Sequence, residues 1–115
     1  MNKNELESMF DSIVEHYNHA CEKHPFFADT ICAKNDNGTW GIMANHRKMD
    51  THLRCKMNEE VTAHEVFVAE MYEIFDAFCK GDYALARYEV LDAIAVLLRM
   101  DDMIRDAQER RGDAK

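Results

Sequence analysis

The sequence predicts an all-α protein whose helices form an antiparallel bundle that is completed by oligomerisation. One proline and four glycines in 115 residues leave few chain breaks, which favours a few long helices over many strands. Apolar residues also recur every three or four positions over long stretches, and this is the spacing of amphipathic helices. The length corresponds to a single domain, residues 1–115.

The first helix is expected at about residues 5–24. Apolar side chains recur there with helical spacing, at Leu6, Met9, Phe10, Ile13, Val14, Tyr17, Ala20 and Cys21. Pro25 ends this helix, because the residue before a proline avoids the helical conformation. The pattern is then broken over residues 25–61, which contain a turn signal at Asn35-Asp36-Asn37-Gly38, and we predict an irregular segment there.

A locally cationic stretch lies inside this segment. Residues 46–56 contain four basic side chains and a single acidic one, Asp50, in a chain whose net charge is −8. The basic residues are Arg47, Lys48, Arg54 and Lys56.

A helical hairpin is expected at about residues 62–108. Thr62 and Glu65 form a capping-box pattern, in which the two side chains satisfy free backbone N–H groups at a helix start. Gly81 supplies the end of this helix, and Asp82 can cap the next one. Because the link at residues 80–82 is so short, the two helices should fold back on each other as an antiparallel pair.

Four carboxylates occupy related positions on this hairpin. Glu70 and Glu73 are three residues apart on the first helix, and Glu89 and Asp92 are three apart on the second. Glu73 and Glu89 lie eight residues from Gly81, whereas Glu70 and Asp92 lie eleven residues from it. Equal distances from the turn of an antiparallel hairpin mean equal heights, about 12 Å and about 16 Å at the rise of an α-helix. The four acids should therefore face one another.

These acids call for a compensating cation. On the second helix they are interleaved with apolar side chains, and both desolvation and mutual repulsion disfavour their charged forms. A hard divalent cation, Mg²⁺ or alternatively Mn²⁺, takes oxygen ligands and relieves both effects. We therefore assign four metal ligands: Glu70, Glu73, Glu89 and Asp92. The other interpretation is a solvated acidic face on a helical bundle.

The order of these acids also suggests a reaction. The chain reads Glu-x-x-Glu, then fifteen residues, then Glu-x-x-Asp, with AEMYEI at residues 69–74 and YEVLDA at residues 88–93. This resembles the MazG-like group of all-α nucleoside triphosphate pyrophosphohydrolases over about residues 62–105. The resemblance implies Mg²⁺-dependent cleavage of a (d)NTP or related nucleotide to the monophosphate and pyrophosphate, and a dimeric or tetrameric assembly. We assign Glu73 the additional role of orienting the attacking water. Residues before 62 depart from the family pattern, so the resemblance does not specify the base or the sugar.

Four residues outside the acidic motif are candidates for binding the substrate. Arg54 and Lys56 precede the acidic helix and could grip a triphosphate, or they could belong to an ordinary solvated loop. Arg99 lies two turns after Asp92 and could reach a phosphate, or it could form an ion pair with an aspartate. Trp40 could stack on a base or act as a packing anchor.

Composition limits the partners and the location. The excess of 22 acidic over 14 basic residues argues against binding a nucleic-acid polymer. No run of 18 apolar residues is present, so no membrane partner is expected, and the polar start of the chain resembles no secretion signal. The four cysteines form no Cys-x-x-Cys pair, and we expect reduced thiols in a cytoplasmic protein.

Two alternative functions stay open at this point. One is a non-catalytic helical interaction protein whose acidic face meets a basic partner. The other lies within the same superfamily, as an enzyme specific for phosphoribosyl-ATP or for deoxynucleotides.

Overall fold

The computed structural model describes residues 1–25, 30–33 and 38–112, and within these ranges it contains four α-helices and no strand. The helices are α1 (Lys3–Lys23), α2 (Thr39–Lys56), α3 (Ala63–Cys79) and α4 (Tyr83–Arg111). The all-α prediction is therefore confirmed. Among the described residues, none of these helices combines the length and the apolar composition needed to cross a membrane. The chain divides into two compact units, residues 1–31 and residues 32–115.

The first unit consists mainly of α1. The helix begins after Asn2, whose side chain accepts a hydrogen bond of 2.8 Å from the backbone N–H of Glu5. It ends at Lys23, two residues before Pro25, close to the predicted boundary. No residue of α1 is buried, and the side chains of its apolar stripe are largely exposed to solvent, including Leu6, Phe10, Val14 and Tyr17.

The first helix of the second unit is one that the sequence did not reveal. We predicted an irregular segment at residues 25–61, but α2 occupies eighteen of these residues. It begins after Gly38, which has a φ of 71° and thus the left-handed conformation that glycine adopts without strain. The predicted turn at residues 35–38 lies mostly outside the described residues. Small side chains explain why α2 was missed: its one buried residue is Ala44, whereas its larger side chains Ile42, Met49 and Leu53 are 56–66% exposed.

The first turn of α2 is packed tightly against α3. Gly41 lies so close to α3 that a Cβ atom at this position would be 2.8 Å from Oδ1 of Asp76. Beside it, Trp40 stacks on Tyr72 with ring centroids 5.8 Å apart and contacts Phe75 edge-on with centroids 5.0 Å apart. The absence of a side chain at Gly41 and the large ring at Trp40 thus fix the start of α2 on α3.

The helical hairpin is present as predicted. Thr62 caps α3, accepting a 3.3 Å bond at Oγ1 from the N–H of Glu65. Gly81 has a φ of 78°, and Asp82 caps α4 by accepting a 3.2 Å bond from the N–H of Leu85. The two helices pack against each other along this hairpin, and α3 also packs against α2.

The core of this unit is built from small side chains. Of the residues that the structure describes in this unit, the buried ones are all alanines: Ala44, Ala69, Ala77, Ala86 and Ala93. Within the described ranges, no large side chain is fully buried. Alanines at helix contacts allow the backbones to approach closely, so side chains that flank them on α3 and α4 are brought near one another.

Candidate metal centre

Three glutamates converge between α3 and α4. Glu70 and Glu73 of α3 and Glu89 of α4 each offer one carboxylate oxygen, and these three oxygens lie within 4.8 Å of one another. The structure therefore brings together three of the four acids that the sequence assigned as ligands. Asp92 is not a member of this group.

The alanine contacts explain why Glu89 points into the cluster. Ala86 and Ala93 are the buried residues of α4, and Glu89 lies three residues after one and four before the other, on the same side of the helix. On α3, Glu70 and Glu73 lie seven and four residues before the buried Ala77, on the same side of the helix. Asp92 is rotated by about 100° from Ala93 around the helix, and so it lies toward the edge of the contact.

Two oxygens of the cluster are buried without a hydrogen-bond partner among the described residues. They are Oε2 of Glu70 and Oε2 of Glu89. Leaving a buried acceptor unpaired costs free energy, so such an atom needs an explanation. A bound cation would explain both unpaired oxygens. Mg²⁺ binds carboxylate oxygens and needs no nitrogen or sulfur ligand. The residues present fit this ion.

The electrostatics of Glu70 reflect this crowding. Burial first, and then the neighbouring carboxylate of Glu89 and the negative charge of Asp92, together raise the pKa of Glu70 from 4.5 to about 7. The positive charge of Lys48 opposes this rise in the pKa. Asp92 thus lies close enough to affect Glu70 although its oxygens are outside the group.

Lys48 is a residue of the candidate site that the sequence did not single out. Its Nζ lies 2.8 Å from Oε1 of Glu73 and forms an ion pair with it. The Lys48 side chain is 58% exposed and that of Glu73 only 12% exposed, so the lysine reaches into the cluster from solvent. Lys48 belongs to the cationic stretch at residues 46–56 identified in the sequence. Its contact with Glu73 could not be predicted there, because the contact requires this stretch to form a helix that packs on α3.

An open groove between α2 and α3 leads to the glutamates. We call it the α2–α3 groove; its volume is about 360 Å³. Lys48, His52 and Cys55 line it from α2, and Glu70 and Glu73 line it from α3. A basic side chain and two carboxylates thus border a space that opens to solvent.

Arg54 lies elsewhere, in an ion-pair network that ties the end of α2 to the start of α3. Its guanidinium donates to a carboxylate oxygen of Glu65 and, over 2.6 Å, to the backbone carbonyl of Glu60, and it lies 3.4 Å from Glu59. Burial alone would raise the pKa of Glu65, but hydrogen bonds from Thr62 and the charge of Arg54 hold that pKa below its usual value. Lys56 is exposed at the last position of α2.

Arg99 and Trp40, the other two candidates for substrate binding, lie in different surroundings. Arg99 is exposed and lines a second cavity of about 440 Å³ at the start of α3, together with apolar side chains such as Val66 and Met103. None of the three clustered glutamates lines that cavity. Trp40 stacks on α3 and donates a 3.1 Å hydrogen bond from its indole N–H to the carbonyl of Ala33, as a packing anchor does.

The chemistry that this arrangement allows is the binding of a hard cation next to a phosphate chain. The clustered carboxylates supply ligands, and the open groove leaves room for phosphate oxygens and water.

Comparison with protein-family models, with curated proteins and with solved structures finds no match for this chain.

Proposed function

We propose that the protein is a Mg²⁺-dependent nucleotide pyrophosphohydrolase of the MazG-like type, with Mn²⁺ as an alternative metal. It would convert a (d)NTP or a related nucleotide to the monophosphate and pyrophosphate in the cytoplasm. The main support is the group of three glutamates, each of which has a carboxylate oxygen within 4.8 Å of the other two. In two of these glutamates, Glu70 and Glu89, a carboxylate oxygen is also buried without a hydrogen-bond partner among the described residues. The resemblance of residues 69–74 and 88–93 to that group of enzymes supplies the reaction class.

Each acidic residue has a role in this proposal. Glu70, Glu73 and Glu89 hold the metal, and Asp92 at the edge of the contact is the fourth ligand. When bound, Mg²⁺ neutralises charge on the triphosphate and stabilises the leaving pyrophosphate.

The protein's own side chains handle the water. Glu73 orients a water molecule toward the α-phosphorus and accepts its proton as a general base. The water oxygen bonds to the α-phosphorus while the bond to the α,β-bridging oxygen breaks, and pyrophosphate leaves. Lys48, 2.8 Å from Glu73, fixes that carboxylate before the substrate binds and can then turn to a phosphate oxygen.

A second copy of the chain would complete the helical bundle, as a homodimer or a tetramer. The side of α4 that carries Tyr83, Val90, Ile94 and Leu97 has the three-four spacing of a packing surface, yet these side chains are 41–61% exposed. Exposed apolar stripes of this kind are typical of protein–protein interfaces. We call this surface the α4 stripe and propose that it packs on the same stripe of a second copy.

The function is tested by a pyrophosphate-release screen over canonical and modified nucleoside triphosphates with Mg²⁺ or Mn²⁺. Phosphoribosyl-ATP and deoxynucleotides belong in the panel, because they distinguish enzymes within the superfamily. We expect the monophosphate and pyrophosphate as products and no turnover with EDTA. A nucleoside diphosphate with orthophosphate would contradict the mechanism, and no turnover of any nucleotide would favour a non-catalytic helical interaction protein.

A further inference from the structure

A pair of cysteines lies outside the metal centre. Sγ of Cys32 is 3.6 Å from Sγ of Cys79, although the two residues are 47 positions apart in the chain. Cys32 belongs to the segment before α2, and Cys79 is the last residue of α3. Both lie in the same compact unit, which begins at Cys32. The fold therefore brings two thiols together that a random chain would rarely bring into contact.

The contacts around the pair hold this arrangement in place. The carbonyl oxygen of Ala33 accepts a 3.1 Å hydrogen bond from the indole of Trp40 and a weak contact of 3.9 Å from Sγ of Cys79. Trp40 in turn stacks on the aromatic rings of α3. Ala33, the neighbour of Cys32 in the chain, is thus in contact with both the start of α2 and the end of α3.

We propose that Cys32 and Cys79 are a redox modification site, which closes to an intramolecular disulfide on exposure to a small-molecule disulfide such as oxidised glutathione. The bond would join Cys32 covalently to the last residue of α3. Disulfides that form in cytoplasmic proteins are typically transient and redox-sensing. The site is independent of the proposed hydrolase activity.

The reaction balances as two thiol–disulfide exchanges. The thiolate of Cys79 attacks one sulfur of oxidised glutathione, forms a mixed disulfide and releases one glutathione thiolate. The thiolate of Cys32 then attacks the sulfur of Cys79 and releases the second glutathione. The protein loses two protons and two electrons, and one oxidised glutathione becomes two reduced ones.

The order of attack follows from exposure. Cys79 is exposed, whereas Cys32 is partly covered. Burial and the neighbouring Cys79 raise the pKa of Cys32 to about 11, so its thiolate is scarce and reacts with external disulfides slowly. Once Cys79 carries glutathione, proximity compensates for this scarcity.

The test uses the full chain with Cys21→Ser and Cys55→Ser, which leaves only the thiol pair. After incubation with oxidised glutathione, we expect both thiols to be lost, the mass of the monomer to fall by two hydrogens, and a peptide linking Cys32 to Cys79. Dithiothreitol should restore both thiols. Closure in the folded protein should be faster than in urea by about tenfold or more, because the fold holds the thiols together.

Single variants on this background test the sequence of steps. Cys32→Ser should leave one glutathione attached to Cys79, and Cys79→Ser should acquire glutathione much more slowly. Disulfides that form only between two protein molecules, or closure that is equally fast in urea, would overturn the assignment. A mixed disulfide that persists with Cys32 intact would overturn it as well.

Discussion

Nζ of Lys48 lies 2.8 Å from Oε1 of Glu73, which places an ammonium group of α2 against the carboxylate cluster of α3 and α4. This lysine partly offsets the negative charge there, as its effect on the pKa of Glu70 shows. A divalent cation at the cluster would compete with it. The ion pair therefore connects the helix that the sequence did not reveal to the proposed metal centre.

Replacing this lysine should strengthen the binding of Mg²⁺ in the absence of nucleotide. Lys48→Met removes a competing positive charge. An ion pair with one exposed partner is worth about 0.2–1 kcal/mol, so the Kd should fall by a factor of roughly 1.4 to 5. The KM for the nucleotide should rise, because a phosphate contact is lost. Calorimetric titration with Mg²⁺ and steady-state kinetics measure the two effects.

Lys56→Met is the matched control, since Lys56 is exposed at the end of the same helix. It should leave the Kd for Mg²⁺ unchanged. Weaker binding of Mg²⁺ by Lys48→Met would contradict the competition between the lysine and the metal.

The metal-free protein should become less stable as the pH rises from 5 to 8. The pKa of Glu70 is about 7 in the folded protein and 4.5 ordinarily, so the folded state binds more protons than the unfolded state between these values. The contribution of Glu70 is fully present below pH 4.5 and is lost as the pH rises through about 7. Urea unfolding in EDTA across this range measures the slope.

Glu70→Gln should reduce this slope, because an amide does not titrate. Glu109→Gln changes an exposed glutamate of α4 and should keep the slope of the parent protein. Saturating Mg²⁺ should also reduce the slope in the parent. The difference in the free energy of unfolding between the parent protein and Glu70→Gln isolates the contribution of Glu70. If this difference rises with pH over this range, it would contradict the environment described for Glu70.

Trp40 should contribute to stability and not to the binding of a base. Trp40→Ala removes the ring that packs on Tyr72 and Phe75, and because the site is only partly buried we expect a loss of roughly 2 kcal/mol in the free energy of unfolding. Trp40→Phe should retain most of the stability and an unchanged KM. A large increase in KM for Trp40→Phe without a loss of stability would instead indicate stacking on the substrate.

How far the sequence predicted the fold depended on the size of the packed side chains. The ends of the hairpin were predictable because capping by Thr62 and Asp82 and the turn at Gly81 are local effects. The helix α2 was not predictable, because small residues such as Gly41 and Ala44 face α3. Such residues add little to a pattern of large apolar side chains, so the helical spacing was not visible in the sequence.

The candidate site was predictable to a similar degree. Distance from the turn indicated the heights of the acids, and Glu70, Glu73 and Glu89 do converge. The distance from the turn gives the height of a residue but not its direction around the axis of α4. Asp92 has the predicted height but points toward the edge of the contact, and it is outside the group. The role of Lys48 depends on a contact between two helices, and no local pattern in the sequence encodes such a contact.

The α4 stripe should mediate self-association. Ile94→Lys places a charge in the centre of the stripe and should dissociate the oligomer at micromolar concentration, because burying an unpaired charge is costly. Ala95→Lys alters an exposed neighbour on another side of the helix and should leave the oligomer intact. Light scattering gives both masses. A strictly monomeric parent protein would contradict the proposed assembly.

The most direct test of the proposed metal centre is the effect of Mg²⁺ on thermal unfolding of the parent protein and of Glu89→Gln. At a hundred times its Kd, Mg²⁺ should stabilise the parent by about 2.7 kcal/mol through mass action, which raises the Tm by several degrees in a domain of this size. Glu89→Gln should lose most of this increase, and Glu109→Gln on the same helix should keep it. No change in the Tm of the parent, or an equal increase in Glu89→Gln, would contradict a cation site at Glu70, Glu73 and Glu89.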